Sequence, residues 1–238
     1  MKAMLLAAGL GSRLKPWTDK HPKALAVVNG KSLLQRNIEY LQANGIVDVV
    51  VNVHHFANQI IDAIKANNGW GSIITISDET TEVLETGGGI KKAFPFFAGQ
   101  ENFVVMNVDI LTDLDLTAMI AKQQASQTLA TLATTNRETS RYFLFNANNE
   151  LCGWRNVKTG EEKIVRNDHP LVQKAFSGIH VINTKFFSII KQQGKFSMVD
   201  AYLDVAATET IKCFDHSGSK FIDVGKPDSV LTASLLFK

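Results

Sequence analysis

The sequence predicts an open three-layer α/β fold with a mixed, mostly parallel sheet and a small antiparallel insertion. Three observations carry this. Ala3–Ala8, Val47–Val53 and Phe103–Met106 are short, continuous apolar runs, the pattern of strands buried on both faces of a parallel sheet. Between them lie segments with apolar residues at helical spacing, so strand and helix alternate as in βαβ units with right-handed crossovers. From Arg141 to Val165 the pattern shortens to brief strands separated by turn formers, which marks the antiparallel insertion.

Taken in order, Ala3–Ala8 stops at Gly9, so a loop follows the first strand. After the turn dipeptide Asn29-Gly30, Ser32 and Gln35 have capping-box spacing, and Leu34, Ile38 and Leu41 continue a helix to a stop at Gly45. Val47–Val53 is the second strand. Phe56, Ile60 and Ile64 mark a helix running to Asn67-Asn68-Gly69, and Ile73–Ile76 is the third strand. Glu85-Thr86-Gly87-Gly88-Gly89-Ile90 precedes a helix that Pro95 closes. Phe103–Met106 leads into Asn107-Val108-Asp109, Asp115 caps a helix through Ala125, and Leu129–Thr134 resumes the sheet. In the insertion, Tyr142–Phe145 and Leu151–Trp154 are separated by Asn146–Asn149, and Lys158-Thr159-Gly160 forms the next turn. Ala175–Ile182 is a strand, Lys185–Gln193 a helix, Ile211–Phe214 and Lys220–Val224 strands, and Asp228–Phe237 a closing helix. Neither an internal repeat nor a low-complexity tract interrupts the series, so residues 1–238 read as one domain, with halves of about 1–115 and 116–238.

Composition narrows the function classes. The 25 Lys and Arg against 23 Asp and Glu leave a net charge of +2 with no dense basic run, which argues against a nucleic-acid partner. Hydrophobic residues at 45% and charged residues at 20% suit a folded globular chain and not a disordered one. Cys152 and Cys213 match neither zinc nor redox spacing and read as idle thiols. The N-terminal apolar run is too short for a signal-peptide core, and no later stretch offers ~18 uninterrupted apolar residues. The expectation is a cytoplasmic protein without a membrane partner, a monomer or a small homo-oligomer.

The loop Gly9-Leu10-Gly11-Ser12-Arg13-Leu14 sits at the carboxyl edge of the predicted sheet, where open α/β proteins bind ligands. Its glycines let backbone N–H groups approach an anion. Leu14 stands where GxGxxG needs its third glycine, and the spacing of a P-loop is absent. The longer segment LAAGLGSRLKPWTDKHPKAL, residues 6–25, closely resembles the N-terminal signature of the sugar-1-phosphate nucleotidylyltransferases, with Gly9, Gly11, Arg13, Pro16, Thr18, Pro22 and Lys23 in register. The resemblance extends over essentially the whole chain.

This resemblance implies a Rossmann-like nucleotide-diphospho-sugar transferase fold, and transfer of a nucleotidyl group from a nucleoside triphosphate to a sugar 1-phosphate with release of pyrophosphate. It implies that backbone at Ala8 and Gly9 meets the base, that Gly11, Ser12 and Arg13 wrap the triphosphate, and that Lys23 stands near the α-phosphate. A fixed guanidinium suits the leaving pyrophosphate, and a second cation offsets charge as the entering oxygen attacks. Glu85, Gly87 and Gly88 fall in the family's base- and ribose-recognising loop, and the wording ETGGGI is especially like that of small uridylyltransferases acting on N-acetylmuramate 1-phosphate. Asp109, ending a strand, and Asp223, in Phe221-Ile222-Asp223-Val224-Gly225, match the family's two Mg²⁺ carboxylates. Val108 stands where the family has glycine, which leaves the backbone there open, and Phe221 stands where tryptophan is frequent.

In the second half, Ala175–Val181 resembles the strand bordering the sugar pocket, with Gly178 leaving room for the sugar and His180 a packed or surface residue. Arg141, together with Arg137, is a candidate contact for the sugar phosphate, the alternative being a solvated pair. Trp70, Trp154, Asp113 and Asp115 read as packing, turn and capping residues. Within the family the pattern points to UTP and N-acetylmuramate 1-phosphate in cell-wall recycling, with mannose-1-phosphate guanylyl transfer next. Cytidylyl transfer to a non-sugar phosphate such as phosphocholine is the alternative chemistry, and a non-catalytic nucleotide-binding regulator the alternative class.

Overall fold

A computed structural model describes residues 1–126 and 128–238. Its centre is a ten-stranded sheet. Strands β1 (Lys2–Leu6), β4 (Asp48–Val53), β5 (Ile73–Asp78) and β6 (Asn102–Asn107) pair in parallel, with β1 between β4 and β6. Alternate side chains divide between two cores. Met4, Val50 and Val105 pack into one, while Leu5, Val49, Val51 and Val104 pack into the other, so both faces are covered and the apolar runs lack a polar alternate.

Helices α1 (Leu33–Ala43) and α2 (Ala57–Ala66) cover one face. Ser32 caps α1 by accepting from Gln35 N–H at 3.1 Å, as the sequence predicts, and Gly45 leaves the helix at φ 77°. Asn29-Gly30 joins a two-residue hairpin, β2 (Val27–Val28) with β3 (Lys31–Ser32). After β6 the chain makes β7 (Ile110–Thr112), then α4 (Leu116–Ser126), whose cap Asp115 accepts from Ala118 N–H at 2.8 Å.

The second half adds β8 (Ala130–Thr135), the antiparallel β9 (Arg141–Phe145), β10 (Leu151–Asn156) and β11 (Glu161–Ile164), and the twelve-residue β12 (Val172–Asn183). β12 pairs antiparallel with β6, β8 and β9, so the insertion continues the main sheet through it. Three expectations need correction here. The helix drawn over Lys185–Gln193 is a single turn, α5 (Phe186–Ile189). Residues 190–197 instead run to α3 (Glu85–Ala93), where Phe196 N–H donates to Leu84 and its carbonyl accepts from Gly87 and Gly88. Gly87 and Gly88 leave room for that segment and Gly89 for the Glu79 carboxylate, and the three glycines lie inside α3 and do not precede it. A further helix, α6 (Met198–Ala206), escaped the sequence reading although Ser197 caps it and Met198, Ala201, Tyr202 and Val205 give it a buried stripe.

The chain closes with β13 (Ile211–Asp215) parallel to β8, β14 (Phe221–Asp223), and α7 (Pro227–Leu236). β14 pairs with β7 outside the main sheet, setting Asp223 opposite Ile110. Among the described residues no helix is long and apolar enough to cross a membrane. Cys152 and Cys213 are buried free thiols.

Candidate active site

The first loop folds as it does for reasons that can be read atom by atom. Gly11 sits at φ 64°, and a Cβ there would lie 2.9 Å from Thr18 Cγ2 and 3.0 Å from Lys23 Cβ. Conformation and space both demand glycine. The buried Thr18 hydroxyl donates to the Gly11 carbonyl at 3.0 Å, bracing the turn from which Arg13 projects. Gly9 has open space around it and, with Ala8, lines the cleft.

That cleft, of about 260 Å³, lies at the ends of β1, β4 and β6, where Asn52 and Asn107 pair with Leu6 on either side. It gathers Arg13, Lys23, Asp109 and Glu85 from three separate stretches of sequence. Lys23 Nζ is 2.6 Å from Asp109 Oδ2, and Arg13 Nη2 is 3.5 Å from Asp223 Oδ2. Asp223 arrives through the β7–β14 pairing, and Val224 N–H donates to the Asp109 carbonyl at 2.8 Å. The four residues singled out for catalysis therefore meet as two crossed ion pairs. Val108, in place of glycine, has its side chain fully buried, and its N–H and carbonyl are held by Leu6 and Asn37. It avoids positive φ, so the backbone carrying Asp109 does not require glycine.

Two residues lining the cleft, Asn52 and Glu79, were not singled out from sequence. Asn52 Oδ1 accepts from Ala7 N–H at 2.6 Å and Ala8 N–H at 3.3 Å, and its amide donates to Glu79 Oε1 at 2.7 Å. Glu79 is 1% exposed, and burial raises its carboxyl above the usual range. The available signal was a polar Asn52 at the end of the apolar run Val49-Val50-Val51. Glu85 opens α3 at φ 59°, a left-handed position that disfavours a side chain, and faces Lys195 at 3.9 Å.

Other sequence candidates take different places. Gly87 and Gly88 follow the cleft-lining Glu85 and Thr86 and are buried against the 194–196 backbone and Phe196. Gly178 has φ 73°, and the space a Cβ would fill holds the Asn107 amide nitrogen, 2.6 Å away. Arg141 lines a separate groove with Trp154, Lys163 and Asp200. His180 is packed, its Nδ1 2.6 Å from the Tyr202 hydroxyl, and burial pulls it down to about 3.

A family model described as nucleotidyl transferase matches residues 2–238. The chain belongs to the nucleotidyl transferase family. Over 118 residues the chain is 44% identical to an N-acetylmuramate alpha-1-phosphate uridylyltransferase of Neisseria meningitidis serogroup B, a match covering 50% of the chain. The chain spans about half, 51%, of that relative's length. A D-glycero-alpha-D-manno-heptose 1-phosphate guanylyltransferase of Aneurinibacillus thermoaerophilus is 28% identical over 96% of the chain and 94% of its own length. Among solved structures, HddC from Yersinia pseudotuberculosis complexed with GMP-PN is 25% identical, with a TM-score of 0.78 over 100% of this chain and 99% of that one.

Asp223 gives a thermodynamic prediction. Burial, then the neighbouring Asp109 carboxylate, raise its pKa above the ordinary 3.8, while Arg13 and Lys23 act the other way. The folded state therefore holds this proton more tightly than the unfolded chain, and the stability it confers is complete below the unfolded value and lost as pH rises through the folded one. Asp223→Asn removes that cost, whereas the lost pair with the 57%-exposed Arg13 contributes little. Calorimetry should find the variant melting above wild type at pH 7, with the gap closing toward pH 3.8. A lower melting temperature at pH 7 would contradict this assignment.

Proposed function

We propose that this chain transfers a nucleotidyl group from a nucleoside triphosphate to a sugar 1-phosphate. The observation that carries the reading is the meeting of Arg13, Lys23, Asp109 and Asp223 at the mouth of the cleft under the glycine loop. An ionised phosphate oxygen of the acceptor attacks the α-phosphorus of the triphosphate. The bond from that phosphorus to the bridging oxygen breaks, and pyrophosphate leaves with the electron pair. The acceptor oxygen is already charged at neutral pH, so alignment and charge neutralisation supply the rate and no general base is needed.

Each cation is matched by one carboxylate. Binding the triphosphate exchanges partners, with Lys23 and Arg13 turning from Asp109 and Asp223 to phosphate oxygens. The carboxylates then stand free as hard oxygen donors. Asp223 Oδ1 is buried and, among the described residues, has no hydrogen-bond partner, which supports its turning toward a metal ion. Two carboxylates plus substrate phosphates suit Mg²⁺, which when bound neutralises charge on the transferring phosphate.

For the substrates, the 44% identity to the N-acetylmuramate enzyme supports UTP with N-acetylmuramate 1-phosphate, which would place the protein in cell-wall recycling. A second reading, GTP with a heptose or mannose 1-phosphate, is favoured by the near-complete coverage of the heptose guanylyltransferase. Pyrophosphate release, assayed with Mg²⁺ across UTP, GTP, CTP, ATP and dTTP against these sugar phosphates and phosphocholine, separates them. Dependence on one nucleotide and one sugar phosphate is the expected result. Triphosphate binding by calorimetry without product on any acceptor would instead indicate a regulator.

A further inference from the structure

We propose that Arg137, which lies outside the nucleotide loop, is the anchor for the phosphate of the acceptor. This rests on the transferase reading above. Arg137 follows β8, and its Nη2 donates to the Phe176 carbonyl at 2.8 Å, while the guanidinium carbon stands 5.1 Å over the Phe221 ring. Phe221 and Asp223 are two apart on β14 and so project from one face, which puts this guanidinium on the carboxylate side of the strand. Asp223 acts on it electrostatically, although burial is the larger influence and lowers its pKa.

Its freedom distinguishes it from Lys23 and Arg13. Lys23 and Arg13 each have a carboxylate within 4.0 Å, whereas among the described residues Arg137 has none and uses one of its donors on the Phe176 carbonyl. A planar fork with open donors on the Asp223 side of β14 matches a phosphate monoester bidentately.

The surroundings hold it in that pose. β12 slips register against β8 between Phe176 and His180, and the Phe176 carbonyl that accepts from Arg137 lies at the edge of that irregularity. His216, 5% exposed, meets the edge of Phe221 at 5.7 Å between ring centroids, and its Nε2 lies 2.7 Å from the Ser177 hydroxyl. Phe221 is thereby fixed between an imidazole and a guanidinium, making it and His216 positioning residues. Arg141, four residues on, has no such setting.

The test compares wild type with Arg137→Met, Arg137→Lys, Phe221→Leu and Phe221→Trp, using steady-state kinetics and calorimetry with UTP, GTP and inorganic phosphate. Arg137→Met should raise the acceptor KM about 10- to 100-fold, the loss of a charge-assisted contact, with triphosphate affinity held within about twofold. Lysine should recover part of the loss. Phe221→Leu should raise the acceptor KM about two- to fivefold and Phe221→Trp should leave it near wild type. Inhibition of wild type by inorganic phosphate, competitive against the acceptor, should weaken in Arg137→Met. An unchanged acceptor KM in a folded Arg137→Met, or an equal loss of triphosphate affinity, overturns the assignment. Wild type that releases no pyrophosphate from any pair overturns the transferase reading instead, and phosphate binding by calorimetry, lost in Arg137→Met or retained, then decides the anchor separately.

Discussion

Asp109→Asn should lower the rate of pyrophosphate release by about 10²–10³-fold or more while leaving a folded protein. The expectation follows from position. Asp109 lies in the turn between β6 and β7, is 5% exposed, and sits where Lys23, Asp223 and the β7–β14 ribbon converge. The amide keeps the shape and removes the charge, so it can neither balance Lys23 nor serve as an anionic oxygen ligand. Stability responds less, because two opposing effects meet. Lys23, only 16% exposed, loses its counter-ion, but the repulsion between Asp109 and Asp223 disappears as well. Thermal melting together with Mg²⁺-dependent turnover checks this, and near-wild-type turnover in a folded variant would remove Asp109 from the reacting centre.

Gly88→Ala should be the most disruptive small substitution in the chain. A methyl group there would overlap the Gly194 carbonyl oxygen and crowd Leu84 Cβ at 3.0 Å. The first of these is backbone, which cannot swing aside. Either α3 tilts or the 194–197 segment lifts, breaking the bonds from Gly87 and Gly88 N–H to Phe196, which measure 2.9 and 3.2 Å. Overpacking of this kind costs about 1–3 kcal/mol, or roughly 2–12 °C in melting temperature for a chain of this size. Triphosphate affinity should fall too, since Val83, Glu85 and Thr86 line the cleft and move with the helix start. Gly218→Ala, with nothing within 4 Å and no special backbone angle, is the control and should melt as wild type does. Equal melting temperatures for the two variants would mean that the glycine face of α3 is not a packing surface.

Much was legible in sequence because it rests on local rules. Apolar runs without polar alternates gave β1, β4 and β6, and Ser32, Asp115 and Gly45 marked helix ends through hydrogen bonds and φ angles that involve only near neighbours. The signature loop was legible for the same reason, since Gly11, Arg13, Thr18 and Lys23 lie within thirteen residues and brace one another. The glycine run at Gly87-Gly88-Gly89 shows where local reading stops. Three glycines suggest a ligand platform, and here they admit protein atoms: Phe196, Gly194 and the Glu79 carboxylate. Asn52 gave a weak signal, and its partners Ala7, Ala8 and Glu79 come from the loops that follow β1 and β5.

The sequence by itself determined the strand and helix alternation, the glycine loop and the residue types that could hold phosphate. The tertiary structure alone decided which of them meet. Asp109 and Asp223 are brought together by the pairing of β14, legible in the run Lys220–Val224, with the three-residue β7, which gave no signal, and the fold sets Arg137 over Phe221 while Arg141 lines a separate groove. The physical reason is range. Propensity, capping and φ act over a few residues, whereas charge pairing and close packing depend on distance in space, which only the folded chain supplies.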